Sequence, residues 1–263
     1  MIDFHNHILP SVDDGSRSID MSLSMLEYAQ DQGITDVVNT VHLQHPKMEG
    51  KDISFNRIKR EIDDLETILY KNNIDINIHM GSEVFFLPNL VELIDDPIAT
   101  IGNGKYMLIE FHPYNIPEIH KQVFFDLKMK GVTPIIAHPE RYKKVQDNIN
   151  IVAEWLEAGC IIQIDAGSPL GFLGQQAKKT SELLIKNNWY QIIGSDAHDN
   201  KNRNFCMKES LHYINSIVEG DINHLVKENP EKIIRGEKLL IDVKYQNHSD
   251  NHSFFDQIKN IFK

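Results

Sequence analysis

The chain opens with Met1-Ile2-Asp3-Phe4-His5-Asn6-His7-Ile8-Leu9-Pro10, and the interpretation of the fold starts from this stretch. Ile2 and Phe4 are typical of the end of a buried strand. Successive side chains of a strand alternate between its faces, so His5 and His7 point the same way. Two neutral imidazoles at one strand end suit a divalent metal, because both donors face a common point. Two surface histidines beyond a strand would give the same motif, so the rest of the sequence must decide.

Strand-like and helix-like segments alternate along the chain. Apolar runs at 106–109, 133–137 and 161–164 are separated by helical patterns at 119–130 and 151–158, which gives about seven βα units in all. This alternation indicates a parallel sheet covered by helices. An open doubly wound sheet would bring only two or three strand ends to its ligand. Almost every strand here ends in His, Asp or Glu, so the sequence predicts an α/β fold, a (β/α) barrel with seven strands.

Composition narrows the function classes. The chain has 263 residues, of which 41% are hydrophobic, enough for one barrel-sized core. Its formal net charge of −11 argues against nucleic acid or an anionic membrane as a partner. No signal-peptide pattern opens the chain, and no apolar segment approaches the roughly 20 residues that span a bilayer. The two cysteines have no paired spacing, so we expect a cytoplasmic protein.

Histidine and carboxylate side chains fall at the predicted strand ends or in the loops that follow them. The set comprises His5, His7, Asp14, His42, Glu83, Glu110, His138, Asp196 and His198, and Asp13 lies beside Asp14 in the loop after the first strand. Carboxylates crowded at one rim resist ionisation unless cations neutralise them. The donors outnumber those that one tetrahedral ion uses, so the sequence predicts about two or three ions. The mixed donor set suits Mn²⁺, Fe or Zn²⁺ better than Ca²⁺ or Mg²⁺ alone.

Several motifs, taken together, resemble the PHP (polymerase and histidinol phosphatase) superfamily. They are the opening stretch, Val-Asp-Asp-Gly at 12–15, Ile-Glu-Phe at 109–111, Ala-His-Pro-Glu-Arg-Tyr at 137–142 and Gly-Ser-Asp-Ala-His at 194–198. From residue 1 to about 235, the chain is similar to the CpsB-like bacterial manganese-dependent protein-tyrosine phosphatases of capsule and exopolysaccharide loci. The resemblance implies a distorted (β/α)7 TIM-like barrel of the PHP type and a phosphotyrosine protein as substrate, namely the tail of a bacterial tyrosine autokinase. Such a peptide needs an open rim, which Phe85, Phe86, Tyr114 and Pro117 could flank.

The resemblance also implies how the ligands divide among three metal ions. One ion would be held by His5, His7, Glu83 and Asp196. A second would share Glu83 and add Glu110 and His138. A third would be held by Asp14, His42 and His198.

Phosphoryl transfer needs a nucleophile and neutralised phosphate oxygens. Metal binding lowers the pKa of water from about 15.7 toward roughly 7, and a hydroxide bridging two ions would attack phosphorus in line. By resemblance, Arg141 and Arg203 would grip the phosphate. A protonated His198, or the neighbouring Asp199, is the candidate proton donor to the phenolic leaving group. The chain departs from the family pattern in the loop that contains His45 and at Asp165, where a smaller uncharged residue is expected.

Other chemistries are weighed against this hypothesis. A cysteine phosphatase has Arg six residues after its nucleophile, whereas Ala166 and His212 follow Cys160 and Cys206 at that spacing. An amidohydrolase usually has a metal-bridging Lys at a strand end, and none stands at those positions. A small-molecule phosphomonoesterase of the histidinol-phosphate type and a non-catalytic metal-binding scaffold stay open as alternatives.

The C-terminal region changes character after the barrel. The last predicted helix of the barrel spans 222–228 and ends at Asn229-Pro230. We assign residues 1–244 to the barrel and 245–263 to a C-terminal extension. In the extension, Phe254, Phe255, Ile258, Ile261 and Phe262 fall at helical spacing. They predict a short amphipathic helix that packs on the barrel or on a sister subunit, with a helix that docks a partner protein as the alternative. Packing on a sister subunit would make the protein a homo-oligomer.

Overall fold

The computed structural model of the chain describes residues 1–240. Seven parallel strands form one sheet in which each strand pairs with the next along the chain. The strands are Ile2–Asn6 (β1), Asp36–Leu43 (β2), Asn77–Phe85 (β3), Tyr106–Glu110 (β4), Thr133–Ala137 (β5), Ile161–Asp165 (β6) and Ile192–Gly194 (β7). The predicted fold class is therefore confirmed.

Helices cover the outside of the sheet. Within residues 1–240 the α-helices are Ile19–Asp31 (α1), Phe55–Lys71 (α2), His120–Met129 (α3), Lys143–Asp147 (α4), Asn150–Glu157 (α5), Gly167–Leu170 (α6), Gln175–Lys186 (α7), Met207–Ile217 (α8) and Glu228–Ile234 (α9). Helix α2 shows why they pack there: Ile58, Ile62, Leu65 and Leu69 form one buried stripe. None of the helices in the described part of the chain has the length and apolar character that crossing a bilayer requires.

The sheet closes where β1 meets the chain that follows β7. The backbone N–H of His7 donates to the carbonyl of Ala197 at 2.8 Å, and that of Asp196 donates to the carbonyl of His5 at 2.7 Å. Gly194 permits this approach, because a Cβ atom at that position would lie only 2.4 Å from the Cβ of His5. The result is a nearly closed barrel, in which the carboxyl ends of the strands surround one mouth.

A bulge in β1 turns the first histidines toward that mouth. Asp3 pairs with Val37 and Asn6 with Asn39, so β1 has one residue more than β2 across this interval. Phe4 packs with Leu108 and other strand residues from around the barrel. The next residue, His5, reaches side chains of other strands at the mouth. A bulge re-aims side chains in this way, and bulges are enriched beside active sites.

The C-terminal part of the described chain differs from the prediction. The helix predicted at 222–228 is wrong: a 3₁₀ turn at Asn223–Leu225 precedes α9, which starts at Glu228. Pro230 lies in the first turn of α9, where a missing N–H costs no helical hydrogen bond, so it helps to begin a helix rather than end one. The predicted extension at 245–263 and the last four residues of the predicted barrel domain lie outside the described residues.

Candidate metal centre

The nine candidate ligands gather at the mouth of the barrel. Seven of them lie at or just after the ends of strands β1, β2, β3, β4, β5 and β7, as predicted, and Asp14 and His198 lie in the loops that follow β1 and β7. Donor atoms of eight of them, all except His138, form three groups, and within each group the atoms lie within 4.8 Å of one another. These groups are His5, His7, Glu83 and Asp196; His7, Asp14, His42 and His198; and His42, Glu83 and Glu110.

The first group is deeply buried and tightly oriented. The Nε2 atoms of His5 and His7 lie 3.3 Å apart. Nε2 of His5 lies 3.2 Å from Glu83 Oε2 and 3.4 Å from Asp196 Oδ1. All four side chains are almost inaccessible to solvent. Four donors from three separate parts of the chain are thus aimed at one point.

Hydrogen bonds at the Nδ1 atoms of His5 and His7 explain why the Nε2 atoms of both rings face the same point. Nδ1 of His5 lies 3.1 Å from Gln163 Oε1, and Nδ1 of His7 lies 2.7 Å from Asp13 Oδ2. Both partners are acceptors, so each Nδ1 carries the proton and each Nε2 is left with its lone pair. Histidine ligands of metals are held in this way by a second hydrogen bond. Sequence analysis did not identify Gln163, although a polar residue inside the apolar strand β6 was a usable signal.

The second and third groups share His42. Nε2 of His42 lies 3.1 Å from Asp14 Oδ1, which is also 3.3 Å from Nε2 of His198. Nδ1 of His42 lies 3.1 Å from Glu83 Oε2. His138 contacts the other oxygen of Glu83, Oε1, at 2.7 Å, but it does not belong to the mutually close group that contains Glu110. Glu83 therefore contacts His42 through Oε2 and His138 through Oε1.

Two of the candidate ligands have unusual backbone geometry. His138 has φ of 33° and Asp196 has φ of 49°, both in the left-handed region. Residues other than glycine rarely adopt this conformation, and it costs energy that the surrounding structure must supply. His138 immediately follows β5 and Asp196 lies two residues after the end of β7, so the strained turn directs each side chain back into the mouth.

The chemistry of the donor set fits divalent cations. Among the described residues, Glu110 Oε2, Asp196 Oδ1 and His42 Nδ1 are buried without a hydrogen-bond partner, which is costly in the absence of a cation. Burial and the negative charge of Glu83 raise the pKa of Glu110 to about 8. Although burial lowers it, the Glu83 and Asp196 carboxylates raise the pKa of His5 to about 9. Positive charge is therefore favoured among these carboxylates, as a bound cation would supply.

Two arginines border the first group. Nη1 of Arg141 lies 2.5 Å from Asp196 Oδ2, and Nη2 of Arg203 lies 2.6 Å from the same oxygen. Their side chains keep exposures of 27% and 38%, so neither arginine is fully buried. Asp165 approaches Arg141 at 3.6 Å. The unexpected carboxylate thus lies beside one of the two predicted phosphate-binding residues.

Comparison with known proteins identifies the family. A profile of the family described as Capsular polysaccharide synthesis, CpsB/CapC, matches residues 1–235. The chain belongs to the CpsB/CapC family. CapC of Staphylococcus aureus is 37% identical over 210 residues, which make up 80% of this chain and 81% of CapC. Tyrosine-protein phosphatase YwqE of Bacillus subtilis is 31% identical over 241 residues, 91% of this chain and 94% of YwqE.

A solved structure supports both the fold and the family. It is described as crystal structures of YwqE from Bacillus subtilis and CpsB from Streptococcus pneumoniae, unique metal-dependent tyrosine phosphatases. It matches with a TM-score of 0.85 at 32% identity, and the match covers 91% of this chain and 96% of that chain. The predicted resemblance is therefore confirmed.

The candidate proton donors of this CpsB/CapC member have other partners. Nδ1 of His198 lies 2.8 Å from the carbonyl of Asp196, so it donates there, and Nε2 faces Asp14. That arrangement suits a metal ligand better than a proton donor. Although burial raises it, hydrogen bonds from the backbone N–H groups of 201–203 lower the pKa of Asp199. Asp199 is therefore a carboxylate at neutral pH.

The aromatic residues that were expected to flank the mouth differ in their exposure. Phe86 is buried against Phe111 and does not flank the mouth as expected. Tyr114 is 75% exposed.

Burial raises the pKa of Cys160 to about 12 and also raises the pKa of Cys206. Both thiols are thus inert at neutral pH, which agrees with the exclusion of a cysteine nucleophile.

Proposed function

We propose that the chain is a metal-dependent protein-tyrosine phosphatase that hydrolyses phosphotyrosine on a protein. The observation that carries this proposal is the convergence of three donor groups and two arginines on one barrel mouth, in a member of the CpsB/CapC family. The relatives YwqE and CpsB are described as metal-dependent tyrosine phosphatases. A cluster that only bound metal would not need the two guanidinium groups.

Each part of the site has a task in this reaction. His5, His7, Glu83 and Asp196 would hold one ion, Glu83 with Glu110 and His138 a second, and Asp14, His42 and His198 a third. The ions, when bound, would acidify a water molecule and neutralise charge on the phosphate. Arg141 and Arg203 are permanently charged and offer fork-shaped pairs of donors that match phosphate oxygens. They orient the phosphoryl group for in-line displacement and stabilise the charge that develops on it.

The leaving group places a modest demand on the protein. A tyrosine phenol has a pKa of about 10 and departs more readily than an aliphatic alkoxide. No strong acid is therefore needed beside the ester oxygen. The observed geometry of His198 and Asp199, neither of which is arranged as an acid, is compatible with this requirement.

The finer assignments are part of the same proposal. We infer that Mn²⁺ is the metal, at about three ions per chain, because the mixed imidazole and carboxylate donors suit it. Fe, Zn²⁺ and Mg²⁺ are the alternatives, and elemental analysis of the purified chain would distinguish them. The substrate would be the tail of a bacterial tyrosine autokinase that controls capsule or exopolysaccharide synthesis. The enzyme would act in the cytoplasm, with residues 1–244 as its catalytic barrel, and the extension at 245–263 would support a homo-oligomer.

The direct test is hydrolysis of phosphopeptides by the purified full chain loaded with Mn²⁺. We expect turnover of a phosphotyrosine peptide well above that of a phosphoserine peptide or of histidinol phosphate. His5→Ala should reduce turnover by at least about 100-fold, because a ligand of the most buried group is lost. His212→Ala, on the exposed surface of α8, is the matched control and should leave turnover unchanged. Preference for histidinol phosphate would instead identify a small-molecule phosphomonoesterase.

A further inference from the structure

His45 is fixed at the edge of the mouth by the loop after β2. Gln44 has φ of 58°, and its Oε1 accepts a hydrogen bond of 2.9 Å from Nδ2 of Asn89. The carbonyl of His45 accepts from the N–H of Met48 at 2.8 Å. The His45 ring lies 4.8 Å from that of His42 and 5.1 Å from Phe85, edge to face. A strained turn and packing on both sides thus hold this ring in one place.

One hydrogen bond determines where the proton of the ring resides. Nδ1 of His45 accepts from the backbone N–H of Lys47 at 3.1 Å. A nitrogen that accepts carries a lone pair, so the neutral ring must hold its proton on Nε2. His45 cannot easily serve as a metal ligand, because Nδ1 is engaged and Nε2 is protonated. Its remaining capability is to donate a hydrogen bond from Nε2.

That donor faces the metal centre and is unused. Nε2 of His45 lies 3.9 Å from Oε2 of Glu110, too far for a hydrogen bond, and no residue within 1–240 accepts from it. Glu110 is a candidate ligand of the second ion. A phosphate oxygen that approaches that ion would come within reach of Nε2. The side chain is 14% exposed, so it can meet a ligand that enters the mouth.

We propose that His45 is a further catalytic residue that donates a hydrogen bond from Nε2 to a non-bridging oxygen of the phosphoryl group. This assignment rests on the proposed phosphatase function. It adds a neutral donor at a different carboxylate from the arginine pair, because His45 borders Glu110 whereas Arg141 and Arg203 contact Asp196. The phosphoryl group would then be contacted by His45 as well as by the two arginines.

Two substitutions separate the donor from the shape of the ring. His45→Gln keeps an N–H donor at about the same reach, whereas His45→Phe keeps the planar ring against Phe85 but removes the donor. His45→Ala is a second variant without the donor. His112→Phe is the matched control, since His112 follows β4, is exposed, and likewise accepts on Nδ1 from the N–H two residues later, at 3.2 Å.

The deciding measurement is the affinity of the Mn²⁺-loaded full chain for inorganic phosphate by calorimetry, together with kcat and KM for a phosphotyrosine peptide. Metal content and thermal melting are recorded for every variant. We expect His45→Phe and His45→Ala to weaken phosphate binding about 10- to 100-fold at unchanged metal content, since the lost bond is to a charged group. His45→Gln and His112→Phe should stay within about threefold of the parent chain.

The outcomes separate this inference from the proposed function. Unchanged phosphate affinity in His45→Phe, equal losses in His45→Phe and His45→Gln, or loss of metal from either variant would each overturn the role as a donor. A parent chain that binds phosphate but does not hydrolyse phosphotyrosine would reject the proposed function and leave the comparison of variants valid. A parent chain that binds no phosphate would reject the role of His45.

Discussion

At the scale of single residues, the candidate ligands depend on partners that never face the cation. Gln163 lies opposite the donor atom of His5 and fixes its tautomer. Replacing such a partner commonly costs 10- to 100-fold in metal affinity. The side chains that orient the ligands are therefore as informative as the ligands themselves.

We predict that Gln163→Leu lowers the affinity for Mn²⁺ about 10- to 100-fold, because Nδ1 of His5 loses its acceptor and the ring can rotate. Gln163→Glu keeps an acceptor at the same place and should retain most of the affinity. Competition titration against a metal-binding dye measures both effects. Gln122→Leu, on the exposed face of α3, is the control. An unchanged affinity in Gln163→Leu would show that the hydrogen bond has no orienting role.

These residues also show what the sequence could reveal. His5, His7, Asp196 and His198 stand in short motifs, so their convergence follows from knowing that strand ends meet at one mouth. Gln163 is 158 residues from His5 along the chain. The polar residue inside an apolar strand is visible locally, but its contact with His5 becomes apparent only when the barrel has closed. The same holds for the pairing of Asp165 with Arg141.

At the scale of elements, the contact between β1 and β7 positions the first donor group. Gly194 lies against His5, and its neighbours carry Asp196 and His198 to the mouth. Ile2 and Phe4 correctly indicated β1. The bulge of β1 could not be predicted, because it arises from pairing with β2 rather than from the residues of β1 alone. The error at 222–228 has a different cause, since proline favours a helical first turn as well as a helix end.

We predict that Gly194→Ala separates β1 from β7 and weakens both the fold and the metal site. A Cβ there would lie 2.7 Å from the backbone N of His5, so backbone must move. Overpacking of this kind costs about 1–3 kcal/mol, which urea denaturation measures. Gly104→Ala is the control: it has φ of 79° but open space around it, so it should cost about 1 kcal/mol through backbone strain. Only Gly194→Ala should lower the affinity for Mn²⁺.

At the scale of the whole molecule, the candidate ligands tie the barrel together. They come from β1, β2, β3, β4, β5 and the segment after β7, so almost every strand contributes to one mouth. The chain also carries a formal net charge of −11, and several of its carboxylates are concentrated at that mouth. Cations bound there would cross-link the strands and relieve the repulsion among the carboxylates. Stability of the fold and occupancy of the site should therefore be coupled.

We predict that Mn²⁺ raises the melting temperature of the full chain and that chelation lowers it. A ligand that binds only the folded state adds about 2.7 kcal/mol at 100 times its dissociation constant, which is a shift of roughly 5–10 °C for a chain of this size. In the His5→Ala, Asp196→Ala double variant, the shift in melting temperature should be much smaller, because only the remaining donors can bind Mn²⁺. Differential scanning calorimetry across a Mn²⁺ titration provides the measurement. An equal shift in the parent chain and the double variant would mean that the stabilising ion binds elsewhere, and the coupling between the fold and this mouth would then be wrong.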